Sequence, residues 1–71
     1  MTKNFVIVFD IPRNMPVLAL RVNRSLKKMG AKMFQHSVWK CEKLDELLRL
    51  ANLIKSHGGK AAILEERFIF E

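Results

Sequence analysis

Cysteine, tyrosine and long apolar runs are scarce or missing in this chain. Cys41 is the single cysteine, so no intrachain disulfide can form and zinc-finger spacing is absent. No apolar run approaches the roughly 20 residues that a membrane-spanning helix needs. No signal peptide is expected at the start, Met-Thr-Lys-Asn, because the apolar run that follows is shorter than the roughly 7–15 residues of a signal-peptide core and no small-residue cleavage site is present. These absences predict a soluble protein of the reducing cytoplasm, without a membrane partner.

Length and composition indicate one small globular domain over residues 1–71. The chain is 49% hydrophobic and 28% charged, which excludes disordered and collagen-like classes. A chain this short buries only about 60% of its unfolded surface, so a monomer is expected to be marginally stable.

Acidic residues are nearly missing from the first half of the chain. Residues 1–40 contain eight lysines and arginines and one acid, Asp10, whereas residues 41–71 contain five basic and six acidic residues. A positive field concentrated in one region favours polyanions such as nucleic acid. The alternative is the charged surface of a heat-adapted protein, but such surfaces usually balance their signs, so nucleic acid is the favoured partner.

Hydrophobic periodicity predicts six elements. Apolar runs at 5–9 and 60–64 indicate buried strands. Helices are expected over 15–29 and about 43–57, each with an apolar stripe at spacings of three and four. Residues 32–42 read as two short strands with a bend near His36 and Ser37, or as one bent ribbon.

Two details of the helices are specific enough to test. Asn14 is the expected N-cap of the first helix, and Gly30 is a natural residue just beyond its end. The core stripe of the second helix is expected to comprise Leu44, Leu47, Leu48, Ala51 and Ile54, with Leu50 and Leu53 on a second contact surface.

The order strand, helix, strand, strand, helix, strand is that of a ferredoxin-like α+β fold with an antiparallel sheet. Two helices cover one face of such a sheet, yet the first and last strands are apolar at successive positions. A homodimer packed sheet against sheet would cover the second face. The apolar end of the chain, Phe68, Ile69 and Phe70, is expected to form a short strand on a sheet edge of its own or a partner chain.

Several segments together resemble the small CRISPR-associated adaptation subunit, here called the Cas-two family. The first strand, Val6-Ile7-Val8-Phe9-Asp10, ends in an aspartate, and a basic amphipathic helix ending at Gly30 follows. The segment Gln35-His36-Ser37-Val38-Trp39-Lys40-Cys41-Glu42 is similar to the family's Gln-aromatic-Ser-Val-Phe segment. A leucine-rich helix and an apolar last strand complete a resemblance that covers nearly the whole chain.

The resemblance implies a symmetric dimer with a Mg²⁺ (or Mn²⁺) site built from the aspartates of two first strands. It implies metal-dependent endoribonuclease activity, and a scaffold role beside the Cas-one integrase that inserts DNA fragments into the CRISPR array. Under this resemblance, Asp10 takes the metal-binding and candidate catalytic position. The dimer interface is expected to include Phe9, Ser37 and Trp39, together with the apolar end of the chain. The chain departs from the family in three respects. Phe9 stands where tyrosine is common, the loop 12–16 differs, and the chain ends earlier than most members. VapD-type ribonucleases share the strand-aspartate start and are a close alternative. A ferredoxin-like regulatory module without a nucleic-acid role is another.

Asp10 has two interpretations from the residues themselves. It is a loop aspartate that makes a turn or caps the first helix, or it is a metal ligand. Mg²⁺ usually binds one or two carboxylates and several waters, so a two-fold axis would supply the second carboxylate.

Seven basic residues are the candidates for phosphate binding: Arg13, Arg21, Arg24, Lys27, Lys28, Lys32 and Lys40. Helical spacing places Arg21, Arg24 and Lys28 on one line, which a dimer is expected to double into an extended track. Tyrosine is absent and most phenylalanines sit in apolar runs. This pattern predicts sequence-independent contact with a DNA or RNA duplex backbone rather than base stacking.

The remaining chemically versatile side chains are expected to be structural. His36 is a possible base, but a lone strand histidine is more often a surface or interface residue. His57 suits a helix C-terminus. Cys41 lacks an activating partner and fits a small buried group. Trp39 is expected in the core or an interface rather than against a base.

Overall fold

Six regular elements make up the protein. The computed structural model describes residues 3–67 and 69–70. The elements are β1 (Phe5–Asp10), α1 (Pro16–Lys28), β2 (Lys32–Gln35), β3 (Val38–Cys41), α2 (Leu44–Ser56) and β4 (Lys60–Glu65).

The four strands form one antiparallel sheet in the order β2-β3-β1-β4. The most apolar strand, β1, lies at the centre, where both neighbours satisfy its backbone groups. This order, with two helices on one side, is the ferredoxin-like α+β arrangement, and the predicted fold class is confirmed. The predicted bend at His36 and Ser37 is also confirmed, since these two residues form the turn between β2 and β3.

Helix α1 packs on the sheet through Leu18, Val22 and Leu26, as its apolar stripe predicts. The prediction that Asn14 is its N-cap is wrong. The N-cap is Met15, which has no side-chain cap, and the chain enters the helix through a turn in which the Met15 N–H donates to the Pro12 carbonyl (3.1 Å). The helix ends at Lys28, and Gly30 follows just beyond it with a φ of 81°, which suits a residue without a Cβ.

Helix α2 is rotated about its axis relative to the sequence-based expectation. Its buried residues are Leu47, Leu50, Ala51 and Ile54. Leu48 was expected in the core but is 46% exposed, and Leu50 takes its place at 5% exposure. The physical reason is that α2 carries leucines on more than one face. Two faces therefore satisfy the same apolar periodicity, and packing against the sheet decides which face is buried.

The core lies between the sheet and the two helices. Its strand contribution comes from Ile7, Trp39 and Cys41, all on the helix-facing side. Trp39 is 3% exposed, and its indole Nε1–H donates to the His36 carbonyl (2.9 Å). This bond satisfies the one polar group of the tryptophan and ties the β2–β3 turn to the core.

The opposite side of the sheet, called here the open face, carries no helix. Its members include Val6 and Val8 of β1, paired with Leu64 and Ala62 of β4. Leu64 is 55% exposed and Val8 is 37% exposed. The open face also includes Phe34, whose ring lies under the Lys40 ammonium (5.2 Å to the centroid). One chain therefore leaves an apolar sheet surface uncovered, as the sequence predicts.

At the end of the chain, Ile69 and Phe70 are 91% and 92% exposed and belong to no strand. Phe68, the first residue of the predicted terminal strand, lies outside the described residues. Across the part of the chain that the structure describes, neither helix has the length and apolar character needed to cross a bilayer.

Candidate functional site

The outer face of α1 concentrates positive charge. Arg21, Arg24 and Lys28 line one shallow groove of about 470 Å³, together with Val17, Leu20 and Ser25. The helix contains no acidic residue. Among the described residues, none of these three cations takes part in an ion pair. The basic line predicted from helical spacing is therefore present and available to an anionic partner.

Another cation lies close to this groove, because Arg49 of α2 lines a neighbouring cleft with Lys28 and Glu46. Lys27 is also exposed on α1. The sequence interpretation missed Arg49, because it lies in the half of the chain where the charges balance. Only the packing of α2 beside α1 brings Arg49 to the basic face.

The other predicted phosphate contacts lie elsewhere. Arg13 is exposed in the turn before α1, and Lys32 is exposed at the start of β2. Lys40 is only 25% exposed, and its Nζ lies 3.5 Å from the Oε2 of Glu66 and above the Phe34 ring. Lys40 therefore differs from the cations of α1, because its ammonium already has an acidic partner within the chain.

Asp10 lies at the exposed end of β1. Its Cα partner in β4 is Lys60. On the other side, the β1–β3 register runs from Phe5↔Cys41 to Val8↔Val38, and the Phe9 N–H continues it by donating to the Ser37 carbonyl (3.1 Å). Asp10 follows Phe9 at the end of β1, and His36 precedes Ser37 in the β2–β3 turn.

Asp10 and His36 line a common cleft of about 260 Å³. Ser37 contributes to the same cleft from the turn, and Asn23 contributes from α1. The remaining walls are apolar and comprise Phe9, Ile11, Ala19 and Trp39. No local pattern indicates that Asn23 belongs to a site, because its approach to β1 depends on helix packing.

The polar groups of this cleft lack partners among the described residues. No hydrogen bond or ion pair there involves the Asp10 carboxylate or the His36 ring. The Asn23 Oδ1 is buried and accepts no hydrogen bond from the described part of the protein. His57 differs, because its Nδ1 lies 2.9 Å from the Leu53 carbonyl oxygen. The cleft thus contains one buried amide oxygen without a partner among the described residues, and Asp10 and His36 contribute to its rim.

A single chain provides an incomplete metal site. Over residues 3–67 and 69–70, no group of three or more histidine, cysteine, aspartate or glutamate side chains is positioned to hold an ion. Asp10 fits the expected role only if water, the amide oxygen or a second copy supplies the other ligands.

The predicted interface residues fall into two groups. Trp39 is in the core and Phe9 is half-buried against it, so both face the helices rather than the open face. This burial removes Trp39 from the candidate interface, because almost none of its surface is left for a partner. Ser37 is half-buried in the turn, while Ile69 and Phe70 are exposed.

Cys41 is structural in this arrangement. It is 6% exposed, its Sγ accepts the Lys43 N–H at 3.4 Å, and it packs within the core cluster. Its location confirms the expectation of a small buried group.

The chain matches no family model, and none of the curated proteins is significantly similar to it.

Proposed function

We propose that this protein is a cytoplasmic homodimer that binds nucleic-acid duplexes through the outer face of α1, as a scaffold of the Cas-two type in a complex with an integrase. The observation that carries the proposal is the α1 groove. Three cations line it, no acid occurs in the helix, and no ion pair neutralises them within the described chain.

Phosphate contact accounts for this arrangement better than base recognition does. Arg21 and Lys28 are seven residues apart, or about 10 Å along the helix axis, which corresponds to about three base pairs of duplex rise. Trp39 is buried, so it offers no surface for stacking on a base. Contacts made by exposed arginine and lysine side chains to phosphate carry no sequence information and are weakened by salt.

The test is a duplex titration at several salt concentrations with the triple variant Arg21→Ala, Arg24→Ala, Lys28→Ala. Each phosphate contact removed lowers the slope of log K against log salt by about 0.9, so three contacts lower it by about 2.7. Circular dichroism checks the fold, which is expected to persist because all three side chains are exposed.

A matched control removes the same charge elsewhere. The variant Lys43→Ala, Lys55→Ala, Arg67→Ala lowers the net charge equally, but none of these residues lines the α1 groove. It is expected to reduce affinity modestly and to change the slope by less than about 1. Equal slopes for the two triple variants would mean that duplex binding reflects net charge alone, and the assignment to α1 would be abandoned.

The dimer in this proposal forms through the open face. Apolar side chains on that face remain exposed in one chain, Leu64 most of all. A stable interface usually buries about 800 Å² per partner. The exposed Ile69 and Phe70 add apolar surface to what the sheet alone provides.

A metal-dependent endoribonuclease is the second candidate, and the open cleft at Asp10 favours it. When a divalent ion is bound, it supplies Lewis-acid stabilisation of charge on the scissile phosphate. In this chain, Asp10 would hold the Mg²⁺ or Mn²⁺, and the neighbouring cations would position the nucleic acid. The Asp10→Asn variant separates the candidates: a scaffold retains duplex binding without turnover in either protein, whereas a nuclease loses divalent-ion-dependent cleavage.

A further inference from the structure

The outer face of α1 carries apolar surface that phosphate contact leaves unused. Val17 is 77% exposed and Leu20 is 52% exposed, and both line the α1 groove together with its three cations. We propose that this face is a docking site for an acidic amphipathic helix of a partner protein, which lies antiparallel to α1. The proposal goes beyond duplex binding and does not depend on it.

The α1 groove has the periodicity of a helix-packing surface. Its lining residues repeat at intervals of three and four, because they occupy positions 17, 20, 21, 24, 25 and 28. Helices pack on one another through positions with this spacing. Ser25 is the smallest side chain of the set, and its hydroxyl already donates to the Arg21 carbonyl (2.9 Å). A second helix can therefore approach closely at Ser25 without leaving a buried hydroxyl unpaired.

Charge complementarity selects an acidic partner. The groove is lined by Arg21, Arg24 and Lys28, and α1 contains no acid. Over the described residues, no ion pair involves any of these three cations. Glu46 of α2 lines the neighbouring cleft with Lys28, but its Oε2 lies 3.8 Å from the Lys43 Nζ. Aspartate or glutamate on a partner helix would therefore meet cations that no acid of this chain has neutralised.

The apolar and basic residues of the groove lie toward opposite ends of α1. Val17 and Leu20 are in the first half of the helix, whereas Arg24 and Lys28 are in the second half. In an antiparallel partner, acids in the first turns face Arg24 and Lys28, and apolar residues in a later turn face Val17 and Leu20. Acids near the N-terminus of a helix are also favoured by that helix's own dipole. The antiparallel orientation thus suits both the charges of α1 and the stability of the partner helix.

A protein helix fits this face better than an anionic bilayer does. A helix that lies in a membrane interface buries a continuous apolar face in the lipid. The apolar stripe of α1 is already buried on the sheet, through Leu18, Val22 and Leu26. The outer face has Val17 and Leu20 as its large apolar side chains, which match one turn of a partner helix but offer a bilayer little surface to bury.

Fluorescence anisotropy with a labelled synthetic helix tests the docking site. The distance from position 17 to position 28 is about 17 Å along the axis, so a stapled peptide of about 16 residues spans the groove. One face of the peptide carries glutamates in its first two turns and leucines in its last turn. A second peptide of the same composition carries the leucines first and the glutamates last. The wild-type protein is expected to bind the first peptide at least about fivefold more tightly than the second.

Two exposed leucines provide a matched pair of variants. Leu20 lines the groove, whereas Leu48, at 46% exposure, lies on α2 outside the groove. Leu20→Gln should weaken peptide binding about fivefold or more, because docking removes this side chain from water. Leu48→Gln should change peptide binding by less than about twofold. Glutamine is a good helix former, so both variants are expected to fold, and circular dichroism checks this.

The Leu20→Gln variant also separates peptide docking from duplex binding. It keeps all three groove cations, so its salt slope for duplex binding should match that of the wild-type protein within about 0.5. A wild-type protein that binds the peptide but no duplex would count against the proposed function alone. Duplex binding without peptide binding would count against the docking site alone.

Four results would overturn the docking proposal. The first is a wild-type Kd for the acidic peptide above about 1 mM. The second is an equal loss of peptide binding in Leu20→Gln and Leu48→Gln, and the third is equal affinity for the two peptides. The fourth is binding to phosphatidylglycerol vesicles that Leu20→Gln weakens while it leaves peptide binding unchanged, which would assign the apolar pair to a membrane surface.

Discussion

Replacing Gly59 with alanine should destabilise the fold by a steric mechanism. Gly59 lies between the end of α2 and the start of β4, and its N–H donates to the Ile54 carbonyl (2.9 Å). A Cβ added here would lie 2.6 Å from the Ile54 Cγ2 and 2.7 Å from the Asp10 carbonyl oxygen. The second of these atoms belongs to the backbone of the central strand, which cannot move without disturbing the sheet.

The magnitude follows from the cost of overpacking, which is typically about 1–3 kcal/mol. Alanine also reduces the freedom of the unfolded chain, which offsets about 0.4–1 kcal/mol of that cost. For a domain of this size, each kcal/mol lowers the melting temperature by about 4–8 °C. With a net cost of about 1–2 kcal/mol, near the middle of this range, a fall of roughly 5–15 °C is expected for Gly59→Ala.

Thermal unfolding followed by circular dichroism measures this effect, at one fixed protein concentration because the proposed dimerisation would stabilise the folded state. The adjacent Gly58 provides the matched control. It has a φ of 87° and open space around its Cβ position, so only backbone conformation restricts it. Asparagine tolerates this conformation, so Gly58→Asn should stay within about 1 kcal/mol of the wild-type protein.

Gly59→Asn should be at least as destabilising as Gly59→Ala, because it introduces the same clash. If both Gly59 variants melted at the wild-type temperature, the close approach between Gly59 and Asp10 would be refuted.

Two further predictions use pairs of leucines. Leu47→Ala should lower the free energy of unfolding in urea by about 2–5 kcal/mol, because Leu47 is fully buried. Leu48→Ala should lower it by less than about 1 kcal/mol. Similar losses in the two variants would refute the observed rotation of α2. Leu64→Glu should shift the chain to monomer in sedimentation velocity, whereas Leu48→Glu, a similarly exposed change on the helix side, should not; a persistent dimer in Leu64→Glu would exclude the open face as the interface.

The fold was predictable because local patterns and tertiary packing agree for most of the chain. The apolar stripe of α1 indicates a single buried face, and the glycine after each helix indicates where that helix ends. The second helix was predicted with the wrong face because its leucines satisfy two helical phases. Contact with the sheet, which depends on residues far away in sequence, selects Leu50 over Leu48.

The candidate site was predictable only in part. Helical spacing was enough to align Arg21, Arg24 and Lys28 on α1. The placement of His36 and Asp10 at the rim of one cleft depends on strand register, and register depends on the position of the turn to within one residue. Asn23 and Arg49 join their clefts through packing between elements, which no local pattern in the sequence specifies.

Because both helices lie on one side of the sheet, the arrangement determines how a dimer would bind nucleic acid. If two copies join through their open faces, their α1 helices lie on opposite outer surfaces with both sheets between them. A straight rod of nucleic acid lying along one α1 cannot touch the other, so the two basic lines do not merge into a continuous track. Such a pair would instead bind two separate duplexes, one on each outer surface, and act as a cross-linker that sets their spacing.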